Sequence, residues 1–375
     1  MNSFFKSVII PFISGILGTV LVIGIGLGIP SVREKFITTT AEVSSSKVEK
    51  QNEVLTSLSN YSDTSISVAN RVLPSVVGIQ VEFTNTGVFG RQTSQAEGSG
   101  IIIKEDGYIL TNNHVVSGES SNYMQLSEAN KITVYLYNDS TPYEGTIVGK
   151  DDITDLAVIK IEKTDLIAAT LGNSANVKVG EFAMAIGNPM GLKSSVTCGI
   201  ISAVNREMDA SSTQSFKLIQ TDAAINSGNS GGALVNASGE VIGVNTLKFA
   251  GSGVEGMGFA IPISSTTDIV SELIQYNKVR RPYIGISGVA VDEKISQRYG
   301  YPIGVYVNGV ETFSPAEKAD IQKGDVILKL DGQDVKTVDE INNIKNSKKI
   351  GDEIEVIFNR DDKEKTVKLK LEEQP

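Results

Sequence analysis

Apolar residues divide the chain into three regimes. From Val8 to Ile29 the sequence VIIPFISGILGTVLVIGIGLGI carries no charged residue, about the length a helix needs to cross a bilayer's hydrocarbon core. A cleaved leader has a shorter apolar stretch and a small-residue cleavage site. Residues 1–30 therefore predict a short N-terminus and an uncleaved transmembrane anchor. Residues 31–65, which include TTTAEVSSSKVEKQNEVLTSLSNYSDTS, are rich in Ser, Thr, Glu and Lys. They have too little apolar surface to build a core and predict a solvated tether.

From Val72 the pattern changes to short β-branched runs between turn signals: SVVGIQVEF, GSGIIIKEDGYILTNN, KITVYLY, EGTIVGK, LAVIKI, EFAMAIGNP, SSVTCGIISAV, FKLIQTDA, EVIGVNTL and GFAIPI. Strands at this spacing predict an all-β sandwich or barrel over residues 66–280. Glu105-Asp106-Gly107 is the clearest hairpin signal. A helix is predicted over 264–279, SSTTDIVSELIQYNKV, with Ser264 or Ser265 as N-cap. Residues 281–375 mix strand patterns (IGVYVNGV, DVILKLDG, EIEVIFNR, KTVKLKLEE) with helical patches (SPAEKAD, TVDEINNIKN). They predict a separate compact α+β domain.

Composition narrows the function. The net charge of −10 and the lack of a Lys/Arg-rich stripe argue against a nucleic-acid partner. Cys198 is the only cysteine, so no intrachain disulfide can form, which is compatible with a bacterial cell surface. His114 is the only histidine, and one Cys with one His cannot build a Cys/His zinc site. The formal GxGxxG at Gly251–Gly256 lacks the βαβ context of a dinucleotide site. No metal or cofactor is expected.

The chemistry concentrates around Ser230, in TDAAINSGNSGGALVN. A serine nucleophile needs a base, an orienter for that base and donors for the oxyanion. A histidine base here can only be His114, in GYILTNNHVVSG just after a predicted strand. Asp155 begins the apolar run DLAVIKI and suits the orienter, with Asp151 and Asp152 as rivals on spacing alone. The chain order His, Asp, Ser is the one found on double β-barrels. Gly228 and Gly231 let backbone N–H groups converge beside Ser230, so Gly228 and Ser230 are the expected oxyanion donors.

On these residues the chain resembles a known family. TNNHVV, TDLAVIKI, AIGNP, TDAAINSGNSGGAL and GFAIP are similar to motifs of the HtrA (DegP/DegS-like) trypsin-fold serine proteases, from about Val68 to the chain end. The resemblance implies two packed six-stranded β-barrels with the active site between them, then a PDZ domain. It implies a triad of His114, Asp155 and Ser230, with Asp155 preferred over its acidic neighbours by the DLAV context. At the specificity pocket it places Ala224 beside Ile225, with Phe249 in the wall loop 245–258, predicting a small apolar pocket. By position Tyr283, Ile284, Gly285 and Ile286 form the PDZ loop that takes a peptide's C-terminal carboxylate, although Ile284 and Ile286 equally suit a strand core. The family further implies a homotrimer, a cytoplasmic N-terminus and extracytoplasmic protease and PDZ domains.

The expected activity is membrane-anchored endopeptidase cleavage of unfolded or misfolded proteins, as in protein quality control and the stress response. No G-x-x-x-x-G-K-[ST] phosphate loop occurs, so no ATP fuel is implied. The rival is a peptide-binding scaffold or holding chaperone with dispensable catalysis, which has no need of His114, Asp155 and Ser230 together.

Overall fold

The structure, a computed structural model, describes residues 60–87, 90–117, 129–189, 194–207, 217–246 and 256–375. The expected anchor at 8–29 and the expected pocket residue Phe249 lie outside the described residues. The chain separates into residues 1–66 and 67–375. In the first unit residues 60–66 are helical, where a tether was expected through residue 65. The Thr64 and Ser65 hydroxyls donate to the carbonyls of Asn60 and Tyr61 at 2.8 and 2.9 Å, so they do not compete with the helix.

In the second unit, helical residues 67–72 lead through the 3-10 turn Leu73–Ser75 into the first barrel. That barrel comprises β1 (Val76–Gly87), β2 (Gly90–Ile102), β3 (Tyr108–Asn112), β4 (Lys131–Tyr135), β5 (Pro142–Asp151) and β6 (Leu156–Ile161), closed in the order β1-β2-β3-β6-β5-β4. The second comprises β7 (Phe182–Gly187), β8 (Ser195–Glu207), β9 (Lys217–Thr221), β10 (Ala233–Val235), β11 (Val241–Thr246) and β12 (Gly258–Pro262). Its order, β10-β11-β12-β9-β8-β7, has the same cyclic topology. The hairpin expected at 105–107 is present, closed by Ile103 N–H to the Tyr108 carbonyl at 2.9 Å. Strand β10 had no signal of its own: three residues directly after two glycines are too few to show a period.

Alternate residues of one strand serve two different cores. In β6, Leu156 and Val158 join the cluster between the barrels, whereas Ala157, Ile159 and Ile161 fill the first barrel. In β7, Met184 and Ile186 face the first of these clusters, and Ala183 and Ala185 face the second barrel's interior. With both faces buried, such strands read as unbroken apolar runs rather than as alternation.

Helix α1 (Asn113–Ser117) follows β3, and α2 (Thr267–Tyr276) closes the barrel domain. Helix α2 is shorter than the predicted 264–279. Ser264 sits in the 3-10 turn Ile263–Ser265 and exchanges two hydrogen bonds with Ser174, at 2.9 and 3.0 Å, so its hydroxyl is not available as a cap. The N-cap is Thr266, whose hydroxyl donates back to the Ile263 carbonyl. At the other end Asn277 takes a left-handed conformation (φ 61°), stops the helix, and donates its side-chain amide to the Val148 carbonyl at 2.6 Å.

The C-terminal domain carries β13 (Pro282–Tyr283), β14 (Ile286–Val291), α3 (Glu293–Tyr299), β15 (Gly304–Val310), α4 (Pro315–Lys318), β16 (Val326–Leu330), β17 (Gln333–Asp334), α5 (Val338–Asn346), β18 (Glu353–Arg360), β19 (Lys363–Lys370) and β20 (Glu372–Glu373). The sheet runs β14-β15-β16-β18-β19, with β17 pairing β16, so β14 is terminal. Helix α5 begins with a capping box of Thr337 and Glu340. Among the described residues no helix is long and apolar enough to cross a membrane.

Leu273 of α2 is fully buried between the barrels. Leu273→Ala is expected to lower unfolding free energy by about 2–5 kcal/mol. Urea denaturation, followed by fluorescence of the eleven tyrosines in this tryptophan-free chain, measures it.

Candidate active site

His114 is the second residue of α1, delivered by β3. Its Nδ1 lies 2.8 Å from Oδ2 and 3.0 Å from Oδ1 of Asp155, and its backbone N–H donates to Oδ1 at 3.1 Å. Asp155 is completely buried. It holds the adjoining backbone as well, since its carbonyl accepts from Asn113 N and from the Asn112 amide, both at 3.0 Å. A third element contributes the Thr246 hydroxyl, which donates to Oδ2 at 3.2 Å from the end of β11. Asp155 adopts φ 57°, a left-handed conformation that costs an ordinary L-residue roughly 1–2 kcal/mol and that aspartate tolerates better than most. With the Nδ1 proton aimed at the carboxylate, Nε2 carries the imidazole lone pair.

The two rival acids are engaged elsewhere. Asp152 accepts from the Asn113 side-chain amide. Asp151 receives a two-pronged ion pair from Arg281, at 2.7 and 2.8 Å, together with the Thr154 hydroxyl and N–H. Burial pushes the Asp151 carboxyl up, but the hydrogen bonds from Arg281 and Thr154 outweigh it and hold it below the ordinary value of 3.8.

Ser230 is buried in the loop between β9 and β10. Its carbonyl accepts Ser99 N–H at 2.8 Å, and the next N–H, of Gly231, donates to the Asn245 carbonyl at 2.9 Å. Asn245 and Thr246 are consecutive, so one strand end binds both the serine loop and the Asp155 carboxylate. Gly231 has φ 81°, and a Cβ there would lie 2.2 Å from the Ser99 carbonyl and 2.3 Å from the Thr111 hydroxyl oxygen. Only glycine fits that approach, which brings the serine loop against the strand leading to His114. Gly228 has φ 104°, and a Cβ on it would lie 2.6 Å from Pro189 Cβ. The Ser99 hydroxyl donates to the Gly228 carbonyl at 2.6 Å and accepts Asn188 N–H at 2.8 Å, fastening the loop to the end of β7. Asn229 closes the loop on itself, accepting Asn226 N–H and donating to the Ala224 carbonyl, both at 3.1 Å.

Sequence reasoning missed Ser99 and Thr246. Ser99 stands between glycines in GSG, a weak signal of close approach; Thr246 ends an apolar strand and has no local signal. Of the expected pocket residues, Ala224 is exposed, whereas Ile225 is buried in the second barrel's core cluster. The nearest acid, Asp222, accepts Ile200 N–H at 2.7 Å.

In the C-terminal domain, Tyr283, Ile284, Gly285 and Ile286 line one groove of about 400 Å³, with Val305 behind them and α5 opposite. Ile284 also belongs to the domain's core, so the core and groove readings both describe it. Burial, reinforced by the Glu311 carboxylate, pushes the Tyr283 phenol up to about 12. Ile153, from the barrel loop between Asp151 and Asp155, lines the same groove.

Comparison with known proteins agrees with both halves. The trypsin-like peptidase domain family matches residues 98–244 and the PDZ domain family matches 282–371. The chain is 40% identical to the serine protease Do-like HtrB of Bacillus subtilis, covering 97% of this chain and 82% of that protein. It is also 40% identical to a probable periplasmic serine endoprotease, DegP-like, of Pseudomonas fulva, covering 76% of this chain and 58% of that one. Among solved structures, the HtrA-type protease AlgW with a decapeptide superposes with a TM-score of 0.69 at 32% identity, covering 82% of this chain and 98% of that chain.

The lowered pKa of Asp151 sets a pH dependence of stability. A carboxylate depressed in the folded state stabilises above its unfolded pKa, and that stabilisation is lost as pH falls through the folded value. Wild type should exceed Asp151→Asn in stability by a constant margin from about pH 7 to 5. The margin should shrink below the ordinary value of 3.8. Urea midpoints measured across that range check it.

Proposed function

Because the chain belongs to the HtrA family of serine proteases, we propose that it cleaves unfolded proteins without ATP, using Ser230 as nucleophile, His114 as base and Asp155 as orienter. That it is a serine endopeptidase follows from its trypsin-like peptidase domain and its relatives. The single observation that carries the triad assignment is the 2.8 Å contact of His114 Nδ1 with the fully buried Asp155 carboxylate.

In this reading His114 Nε2 removes the Ser230 hydroxyl proton as Oγ attacks the scissile carbonyl. Asp155 keeps the Nδ1–H tautomer and stabilises the imidazolium that forms. The N–H groups of Gly228 and Ser230 receive the developing oxyanion; losing one such donor costs about 2.7–4 kcal/mol of transition-state stabilisation. Imidazolium then protonates the leaving amine, and water repeats the cycle on the acyl-enzyme. The carboxylate works here because it is dry and accepts hydrogen bonds from two elements, α1 and β11, which fixes the ring before substrate arrives.

The C-terminal groove takes a peptide carboxy terminus. The terminal strand β14 offers an edge for strand addition, and Ile284, Ile286, Val305, Val338 and Ile341 supply an apolar floor. The related HtrA-type protease AlgW, solved with a decapeptide, supports this. Anchoring through residues 8–29, an extracytoplasmic location like that of the periplasmic relative, and homotrimeric assembly complete the proposal. The rival scaffold reading leaves the buried Asp155 and its three donors without a use.

Casein digestion by the purified full-length chain in detergent, without ATP, tests the mechanism. Ser230→Ala should abolish cleavage, and Asp155→Asn should lower kcat by about four orders of magnitude. Asp152→Asn should retain most activity. Full activity of Ser230→Ala would remove the serine mechanism; loss on Asp152→Asn with activity kept by Asp155→Asn would move the orienter.

A further inference from the structure

Helix α5 presents Val338, Ile341, Asn342 and Lys345 to the groove, a spacing of three, four and seven residues that forms one helical face. Two of the lining residues are charged, Arg281 and Lys345, and both are cations. They are not equivalent. Both terminal nitrogens of Arg281 are committed to Asp151. The Lys345 ammonium has no hydrogen bond or ion pair with any described residue.

The other lysines of residues 281–375 are either paired or exposed. Lys318 meets Glu372, Lys329 meets Asp334, Lys348 meets Asp331 and Lys368 meets Glu353. The remainder are exposed, whereas Lys345 is half-buried. Taking an ammonium out of water without a counter-ion is costly. Burial, with the Arg281 charge nearby, accordingly lowers the Lys345 pKa. A groove with an apolar floor and one uncommitted cation on its wall complements a ligand that is apolar at one point and anionic beside it. The C-terminal residue of a peptide joins those two features within a single residue.

We propose that Lys345 is the specificity-determining cation of this groove, pairing with the α-carboxylate of a peptide whose apolar last residue rests on Ile284, Ile286 and Ile341. The inference rests on the peptide-binding reading above and adds to it the group that makes a free carboxy terminus a requirement. Backbone N–H groups of the Tyr283–Ile286 loop can donate to the same carboxylate. Lys345 supplies net charge, so removing it acts on anionic ligands only.

The test uses the full-length chain carrying Ser230→Ala, so that peptide is not consumed. Fluorescence anisotropy compares a labelled ten-residue peptide ending in Val-Val as free acid with the same peptide as C-terminal amide. The parent chain is expected to prefer the acid. Lys345→Met should weaken acid binding about tenfold, the loss of one charge-assisted contact, and leave the amide within about twofold. Lys345→Arg should keep most of the preference, which separates charge from folding. An acid-to-amide ratio unchanged in Lys345→Met, or equal weakening of both peptides, overturns the assignment while leaving the groove a peptide site. If the parent chain binds neither peptide, the peptide-binding reading itself fails.

Discussion

The contact between His114 and the Asp155 carboxylate is the constraint around which the barrel domain is organised. A carboxylate in a dry interior is unfavourable unless donors surround it. Here the imidazole, the His114 backbone N–H and the Thr246 hydroxyl provide them. Those donors come from α1 and from β11 of the second barrel. The carboxylate of the first barrel is therefore satisfied only when the two barrels are packed together. The interbarrel cluster, built from alternate residues of β6, β7 and β10 together with Val241 and Val244 of β11, supplies the apolar contact that holds them there.

The serine loop depends on the same join. Ser99 of the first barrel fastens Gly228 and Ser230 of the second through its hydroxyl and its backbone N–H. Asn245 and Thr246 then hold the serine loop and the aspartate from one strand end. Glycine is required at position 231 because the backbone approaches Ser99 and Thr111 too closely for a side chain. Gly228 and Gly231 beside Ser230 thus have a packing reason beside the chemical one.

The five residues 151–155 face two neighbours. Asp151 binds Arg281 at the start of the PDZ domain, Ile153 lines the C-terminal domain's groove, Asp152 holds Asn113, and Asp155 holds His114. One short loop therefore touches both the groove and the imidazole. Its internal bonds, from the Thr154 N–H and hydroxyl to Asp151, keep it compact.

Local order was legible in the residues. Short β-branched runs marked eleven of the twelve barrel strands, a glycine-ringed serine marked its loop, and a lone histidine after a strand left one candidate base. Such signals arise between neighbours a few positions apart, where backbone propensity and turn chemistry act. The start of α2, the strand β10 and the choice among Asp151, Asp152 and Asp155 were not legible in the same way. Three acids within five residues differ little locally; what separates them is whether Arg281, Asn113 or His114 comes within reach. Those partners lie 130, 39 and 41 positions away. Only closure and packing of the barrels bring them together, and burial then decides which acid is left facing the imidazole.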